Sequence, residues 1–573
     1  MNQIKYILFG SLLLSACAQP PVRATDGHTA ELEVSSVVDS ALLPNIELSE
    51  DLLYKFLLTE IASQRGEVAI AVQESSDLAN QTRDPRLAMR SAQLALQAGQ
   101  IEKAIEALKI WREVDPDSPL AMRMYASVLM RVGKFDEARQ ELEGVLKADQ
   151  ENTGHIFYQI YQMQASYPDK GAALKFMRKL AQPYPRVAEA HWAVAKLALI
   201  AGDKKLAIDE ARQASKLRPE WGMAISFEAF LLKENKPKQG LKLLKEYLLK
   251  YPEVHEIRLQ YARALLEQQQ YKQAREEFLI LAEEDPGNPE TAFAVALISL
   301  EMEDYAGAET YLKQALSKGR KDQDTVHFYL GQLGETNKNI EQAIAQYRLV
   351  VGGEYLFPAQ IRITYLMSKS GSLDAALLNL QQIQASDEKQ RVQMILVEGQ
   401  LLREAGRRSE AYHVLQDGLE KLPDNPDLLY GTAMLADMMD KPDEFERMMR
   451  KLIQIQPDHA HAYNALGYGL LERNERIPEA LQLVEKALQL APDDPAIMDS
   501  VGWAYYLSGK LKESVEMLRR AFAVDPDPEI AAHLGEVLWT KGEKAEAKKI
   551  WQNSLDASPD STHLQDVIKK FMP

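Results

Sequence analysis

From Pro495 to Pro528 the chain reads PAIMDSVGWAYYLSGKLKESVEMLRRAFAVDPDP. In both halves apolar and small residues recur three or four positions apart, the spacing that gathers them on one face of an α-helix. Gly509 interrupts the pattern at its middle and Asp525-Pro526 ends it. The stretch therefore predicts two short amphipathic helices joined at Gly509. A pair this short cannot bury its own apolar faces, so it needs a neighbour on each side.

The rest of the chain supplies those neighbours. When each unit is numbered so that Pro526 falls at position 32, that position recurs at a mean spacing of 34 residues and is Pro in ten of fifteen copies, the exceptions being Arg83, Gln150, Arg320, Tyr355 and Glu388. Position 20 is the stricter test. It reads Ala71, Ala104, Ala138, Ala173, Ala207, Gly240, Ala274, Ala308, Ala343, Ala376, Ala411, Phe445, Ala480, Ser514 and Ala547, thirteen of fifteen being Ala or Gly. Where two helices cross closely the shared position has room for little more than a methyl group, and overpacking it costs about 1–3 kcal/mol. Position 8 shows the same need in Ala92, Ala126, Ala195, Ala262, Ala296, Gly331, Gly399, Ala433, Gly502 and Gly535, and in Gly467 once a one-residue insertion before Pro478 is allowed. The weakest copies are the first unit, those with Tyr161, Glu228 or Thr364 at position 8, and the one with Phe445 at position 20.

A 34-residue helix–turn–helix unit with small residues at positions 8 and 20 and Pro at 32 resembles the tetratricopeptide repeat. The resemblance implies an all-α fold, a solenoid of about fifteen units wound as a right-handed superhelix. The array is expected over residues 49–561, opening on Ser49-Glu50-Asp51 as a helix start. In residues 562–573, Leu564, Val567, Ile568 and Phe571 stand at helical spacing and predict a helix capping the last repeat.

The first sixteen residues read as a targeting segment rather than fold: Lys5 precedes an apolar run too short to span a bilayer, and Leu14-Ser15-Ala16-Cys17 follows. The tetrapeptide resembles the bacterial lipobox, which implies cleavage before Cys17 and acylation of its thiol. Cys17 is the only cysteine, so the expected mature chain forms no internal disulfide. Ala18-Gln19 follows where inner-membrane lipoproteins carry Asp, so the resemblance implies the outer membrane, with the body expected in the periplasm. Residues 17–48 read as a lipid-anchored tether, able to reach about 100 Å fully extended. Within it, Glu31–Leu43 carries more apolar residues than a linker needs; it either packs on the first repeat or docks on a partner.

A formal net charge of −17 with no basic run argues against nucleic acid as a partner. No zinc-protease, dinucleotide, phosphate-loop or nucleophile-elbow motif is present, so an enzyme is not expected, nor a small-molecule substrate or cofactor. His459-Ala460-His461 lacks a nearby third ligand and reads as a solvated loop, not a metal site.

In the tetratricopeptide repeat the first helix of each unit lines the concave face through positions 2, 5, 9 and 12. Positions 5, 9 and 12 give Asn464, Tyr468, Asp499, Trp503, Tyr506, Glu536 and Trp539 near the C-terminus, and Tyr158, Trp192, Phe293, Phe328, Tyr365 and Tyr430 before them. Any one of these rings could pack against the solenoid's own wall. Together the C-terminal set suits an extended protein segment, rings giving area and polar groups fixing its backbone. The block from Ala462 through Ala547, with the lipobox and overall size, resembles the outer-membrane tetratricopeptide lipoproteins that partner a periplasmic C-terminal processing protease. That resemblance implies an adaptor that binds and activates the protease and presents client proteins, such as peptidoglycan hydrolases. It would touch the membrane through its lipid alone. The alternative is an assembly scaffold for an exopolysaccharide or outer-membrane secretion machine.

Overall fold

The computed structural model describes residues 43–572. Cys17, the leader and Glu31 to Leu42 lie outside the described residues. Among those described, thirty-one helices and no strand follow one another as fifteen pairs and a last single helix, Thr562–Phe571. They fall into two compact units that divide between Glu277 and Phe278. Within each, a helix packs on its partner and on the pair that follows.

The helix starts are written locally. Six first helices begin with proline behind a capping side chain, at Asp84-Pro85, Ser118-Pro119, Asn288-Pro289, Asn425-Pro426, Asp494-Pro495 and Asp527-Pro528. Each cap accepts a backbone N–H two or three residues on, and proline adds no orphan donor. In most copies the turn inside the repeat carries one left-handed residue at position 15. Gly509 supplies it at φ 76°, and Gln269, Glu303, Lys338 and Asp440 adopt the same conformation at φ 56–59°.

Every residue at position 20 is buried, Phe445 and Ser514 included. At position 8 the glycines are there because the facing helix leans in. A Cβ on Gly502 would lie 2.5 Å from Cγ of Leu518, one on Gly467 2.7 Å from Val484, and one on Gly535 would enter the Trp551 indole. Phe445 breaks the rule at position 20 without breaking the array, because Gly469 in the next pair gives way: a Cβ there would sit 2.9 Å from the Phe445 ring. At the weak copies, Tyr161 meets Trp192 edge-on at 5.0 Å, Glu228 is buried 3.4 Å from Arg212, and Thr364 accepts from Asn379 at 2.9 Å.

The two ends of the described chain differ. At the C-terminal end Leu564 is fully buried, and Val567, Ile568 and Phe571 pack against the last repeat around Trp551 and Leu538. At the other end the first helix, Glu50–Gln64, buries only Thr59 and Ala62. Leu53, Tyr54, Phe56, Leu57 and Ile61 are 43–64% exposed along it.

Candidate functional site

Four helices of the C-terminal unit converge on one imidazole. They are Ala460–Glu472, Pro495–Leu507 and Pro528–Lys541, which are the first helices of repeats 13 to 15, and the final helix Thr562–Phe571. His533 is 4% exposed, and its Nδ1 lies 2.8 and 3.0 Å from the two carboxylate oxygens of Asp499, itself 5% exposed. The Trp503 ring stacks on the imidazole at 4.3 Å and 23°. Tyr468 and His563 complete the surround at 6.3 and 6.0 Å.

A shell of polar contacts encloses this centre. The Tyr468 hydroxyl donates to Glu529 at 3.0 Å. Tyr506 packs on Trp503 at 5.0 Å, and its hydroxyl lies 3.1 Å from that of Thr540. Lys570 of the final helix holds Glu536 at 3.0 Å. Burial pulls the His533 pKa down, but the Asp499 carboxylate, with Glu529 and Glu536 behind it, outweighs that and leaves it above the usual value of 6.5. Burial, then the Glu529 and Glu472 charges, raises the Tyr468 hydroxyl, so it stays a donor. Burial also raises Glu472, with Asp437 and Glu529 adding to it.

An Asp–His pair has the composition of a catalytic base and its orienter, but this one lacks the access. The imidazole lies under Trp503, and its hydrogen bonds go to Asp499. What the pair does is fasten one repeat to the next: Asp499–His533, Tyr506–Thr540 and Glu536–Lys570 each join residues 34 apart. A buried ion pair contributes less to net stability than to fixing one arrangement over others.

Two tetratricopeptide-repeat family models match the chain, one at residues 95–156, 231–298 and 402–467, the other at 296–357, 441–495 and 502–562. A TPR repeat-containing protein of Pseudomonas aeruginosa is 33% identical over 539 residues, 94% of this chain and 90% of that one. The chain belongs to the tetratricopeptide-repeat family. This tetratricopeptide-repeat protein is also 25% identical to the human protein O-mannosyl-transferase TMTC1 over 181 residues, 30% of this chain and 20% of that one. Among solved structures, a thermophilic TPR protein of Thermus thermophilus is 22% identical and covers 31% of this chain and 98% of its own, with a TM-score of 0.29. The repeat fold is typically a non-catalytic scaffold that binds other proteins.

Of the C-terminal residues expected on the concave face of this tetratricopeptide-repeat protein, the structure brings Tyr468, Asp499, Trp503 and Tyr506 together around His533. It does not bring Trp539 there. That ring stacks on Trp551 at 5.7 Å and meets Phe571 at 6.0 Å, as part of the seal under the final helix. Asn464 is half-buried, and its Oδ1 has no hydrogen-bond partner among the described residues. The expectation that Asp499 and Glu536 offer carboxylates to an open groove is corrected, since both are buried in pairs made within the fold.

Among the other candidates, Trp192, Phe293 and Phe328 are 2–8% exposed and belong to the interior, so their expected place on an open surface is corrected too. Tyr158, Tyr365 and Tyr430 are half-buried. Tyr158 stacks on Trp192 at 5.5 Å, Tyr365 donates to Gln400 at 2.7 Å, and Tyr430 stacks on His459 at 5.6 Å. His459 is not a solvated loop residue: its Nδ1 caps the helix beginning at Ala460, accepting from Ala462 at 3.1 Å.

Reading positions 5, 9 and 12 missed His533 at position 6 and Glu529 at position 2. A signal was available. Residues one repeat apart on first helices are neighbours, so an acid and a base 34 apart, as in Asp499 with His533 or Glu536 with Lys570, mark a contact.

Proposed function

We propose that this tetratricopeptide-repeat protein is a non-enzymatic adaptor lipoprotein of the outer membrane, anchored through Cys17 and facing the periplasm. It binds and activates a C-terminal processing protease and presents clients such as peptidoglycan hydrolases to it. The observation that carries the reading is the uncovered face of the first helix. A repeat array needs a polar outer surface on its terminal repeats to stay soluble. Here Tyr54, Phe56 and Leu57 keep 44–64% of their surface exposed, and such a patch marks an interaction site. That helix also follows Cys17 most directly in the sequence, so a protease captured on it would be tethered to the membrane through residues 17–48. Co-binding of protease and client makes their encounter nearly intramolecular, which multiplies avidity by about 10²–10⁴.

The test uses the full mature chain with Cys17→Ser and the processing protease encoded by the same genome. The two are expected to co-elute on size exclusion, and the chain to accelerate cleavage of a peptidoglycan hydrolase. Phe56→Asp with Leu57→Asp should abolish both effects while the helical circular dichroism is kept. Absence of a complex and of any acceleration by the unaltered chain overturns the adaptor reading.

A further inference from the structure

Away from the His533 cluster, the first helices of repeats five to seven, Ala188–Ile200, Gly222–Leu232 and His255–Glu267, border a groove of about 680 Å³. Trp192, Lys196, Met223, Phe227, Phe230 and Gln260 line it. Met223 and Phe230 are 50% and 56% exposed, an apolar surface left open.

The one side-chain cation of this groove has no anionic partner among the described residues. The Lys196 ammonium lies 4.1 Å from the centre of the Phe227 ring and 5.2 Å from that of Trp192, and makes no hydrogen bond or ion pair among the described residues. Burial holds it below the usual lysine pKa, and no carboxylate offsets that. The chain has 84 acidic residues and a net charge of −17, yet the one carboxylate at the groove, Glu256, is exposed and unpaired with Lys196. Trp192 is 4% exposed and its buried indole N–H has no acceptor among the described residues. The Gln260 side chain donates to the Ser226 carbonyl at 2.9 Å, while its Oε1 is buried without a donor.

We propose that this groove binds an extended segment of a partner protein that sets a side-chain carboxylate on Lys196 and an adjacent bulky apolar residue on Phe230 and Met223. Charge complementarity names the occupant. A partly desolvated cation attracts an anion more strongly than a hydrated one does, and the described residues supply none. The apolar surface beside it fixes which neighbour that anion carries. The inference does not rest on the protease-adaptor reading, and it is tested with neither protease nor client present.

The probes are two fluorescein-labelled heptapeptides, Ser-Gly-Phe-Glu-Leu-Gly-Ser and its Gln counterpart, with both ends capped so that no terminal carboxylate contributes. Fluorescence anisotropy with the full mature chain (Cys17→Ser) should show the Glu peptide binding about fivefold tighter than the Gln peptide, the difference shrinking in high salt. Lys196→Met should bring the Glu peptide to the affinity of the Gln peptide and leave the latter unchanged. Phe230→Ser, at an exposed position, should weaken both peptides without altering circular dichroism. Equal affinities for the two peptides, no binding up to millimolar concentration, or a preference that survives Lys196→Met overturns the proposal. So does indifference of both peptides to Phe230→Ser.

Discussion

Replacing Asp499 with Ala tests whether the buried pair with His533 fastens repeats 14 and 15. A hydrogen bond to a charged group contributes about 1.5–3 kcal/mol, and an imidazole N–H left buried without an acceptor costs about 1–3 kcal/mol more. With both residues 4–5% exposed, solvent cannot step in, so the expected loss is about 3–5 kcal/mol. Asp499→Asn keeps an acceptor in place and removes only the charge, which roughly halves the bond and leaves a loss of about 1 kcal/mol. The charge also sets a pH dependence. The folded state raises the His533 pKa above 6.5, so it binds the proton more tightly than the unfolded chain does. The stabilisation is therefore fully present below pH 6.5 and is lost as pH rises through the raised folded value. Hydrogen exchange read by mass spectrometry on Pro495–Leu507 and Pro528–Lys541 gives the local opening free energy that a whole-array melt would blur. In the unaltered chain protection there should fall as pH rises above 6.5, after correction for intrinsic rates, and in Asp499→Asn it should not. A loss below about 0.5 kcal/mol in Asp499→Ala, with the pH profile unchanged, would refute the reasoning.

Other substitutions separate the repeat pattern from the structure that carries it. Gly535→Ala drives a methyl group into the fully buried Trp551, so it should cost about 1–3 kcal/mol in thermal or urea unfolding, part of which Trp551→Phe restores. Phe445→Ala introduces the residue that most copies carry at position 20. It should still destabilise by about 3–5 kcal/mol, because Gly469 leaves the vacated volume unfilled. Tyr506→Ala removes one inter-repeat contact with Thr540 and one with Trp503, so it should weaken client capture while lowering exchange protection of Pro528–Lys541 by only about 1 kcal/mol. Trp503→Ala uncovers His533 and should lower capture and protection together, which makes Tyr506 the cleaner probe of binding.

The array was legible because its rule is steric and is repeated. Positions 8 and 20 must be small in nearly every copy, whatever the neighbouring residues are, so the signal survives the copies that depart from it. The concave face was less legible, for a geometric reason. Trp192, Phe293, Phe328 and Asp499 all stand at position 5, three residues before the small position 8, and residues three apart share a face of the helix. Position 5 therefore turns toward the same seam as position 8: these four side chains are buried, and Tyr158, Tyr430 and Asn464, at position 5 in other copies, are half-buried. Positions 9 and 12 lie further round the helix. Tyr468, Trp503, Tyr506 and Lys196 occupy them and keep part of their surface open. Glu536 is at position 9 and is nonetheless buried, because the final helix lies over the last repeat and brings Lys570 to it. A carboxylate or a ring on the inner helix thus reports binding only when its position faces away from the seam and no later helix covers it. Lys196 meets both conditions and has no anionic partner among the described residues, whereas Asp499 and Glu536, chosen for their charge, are both paired.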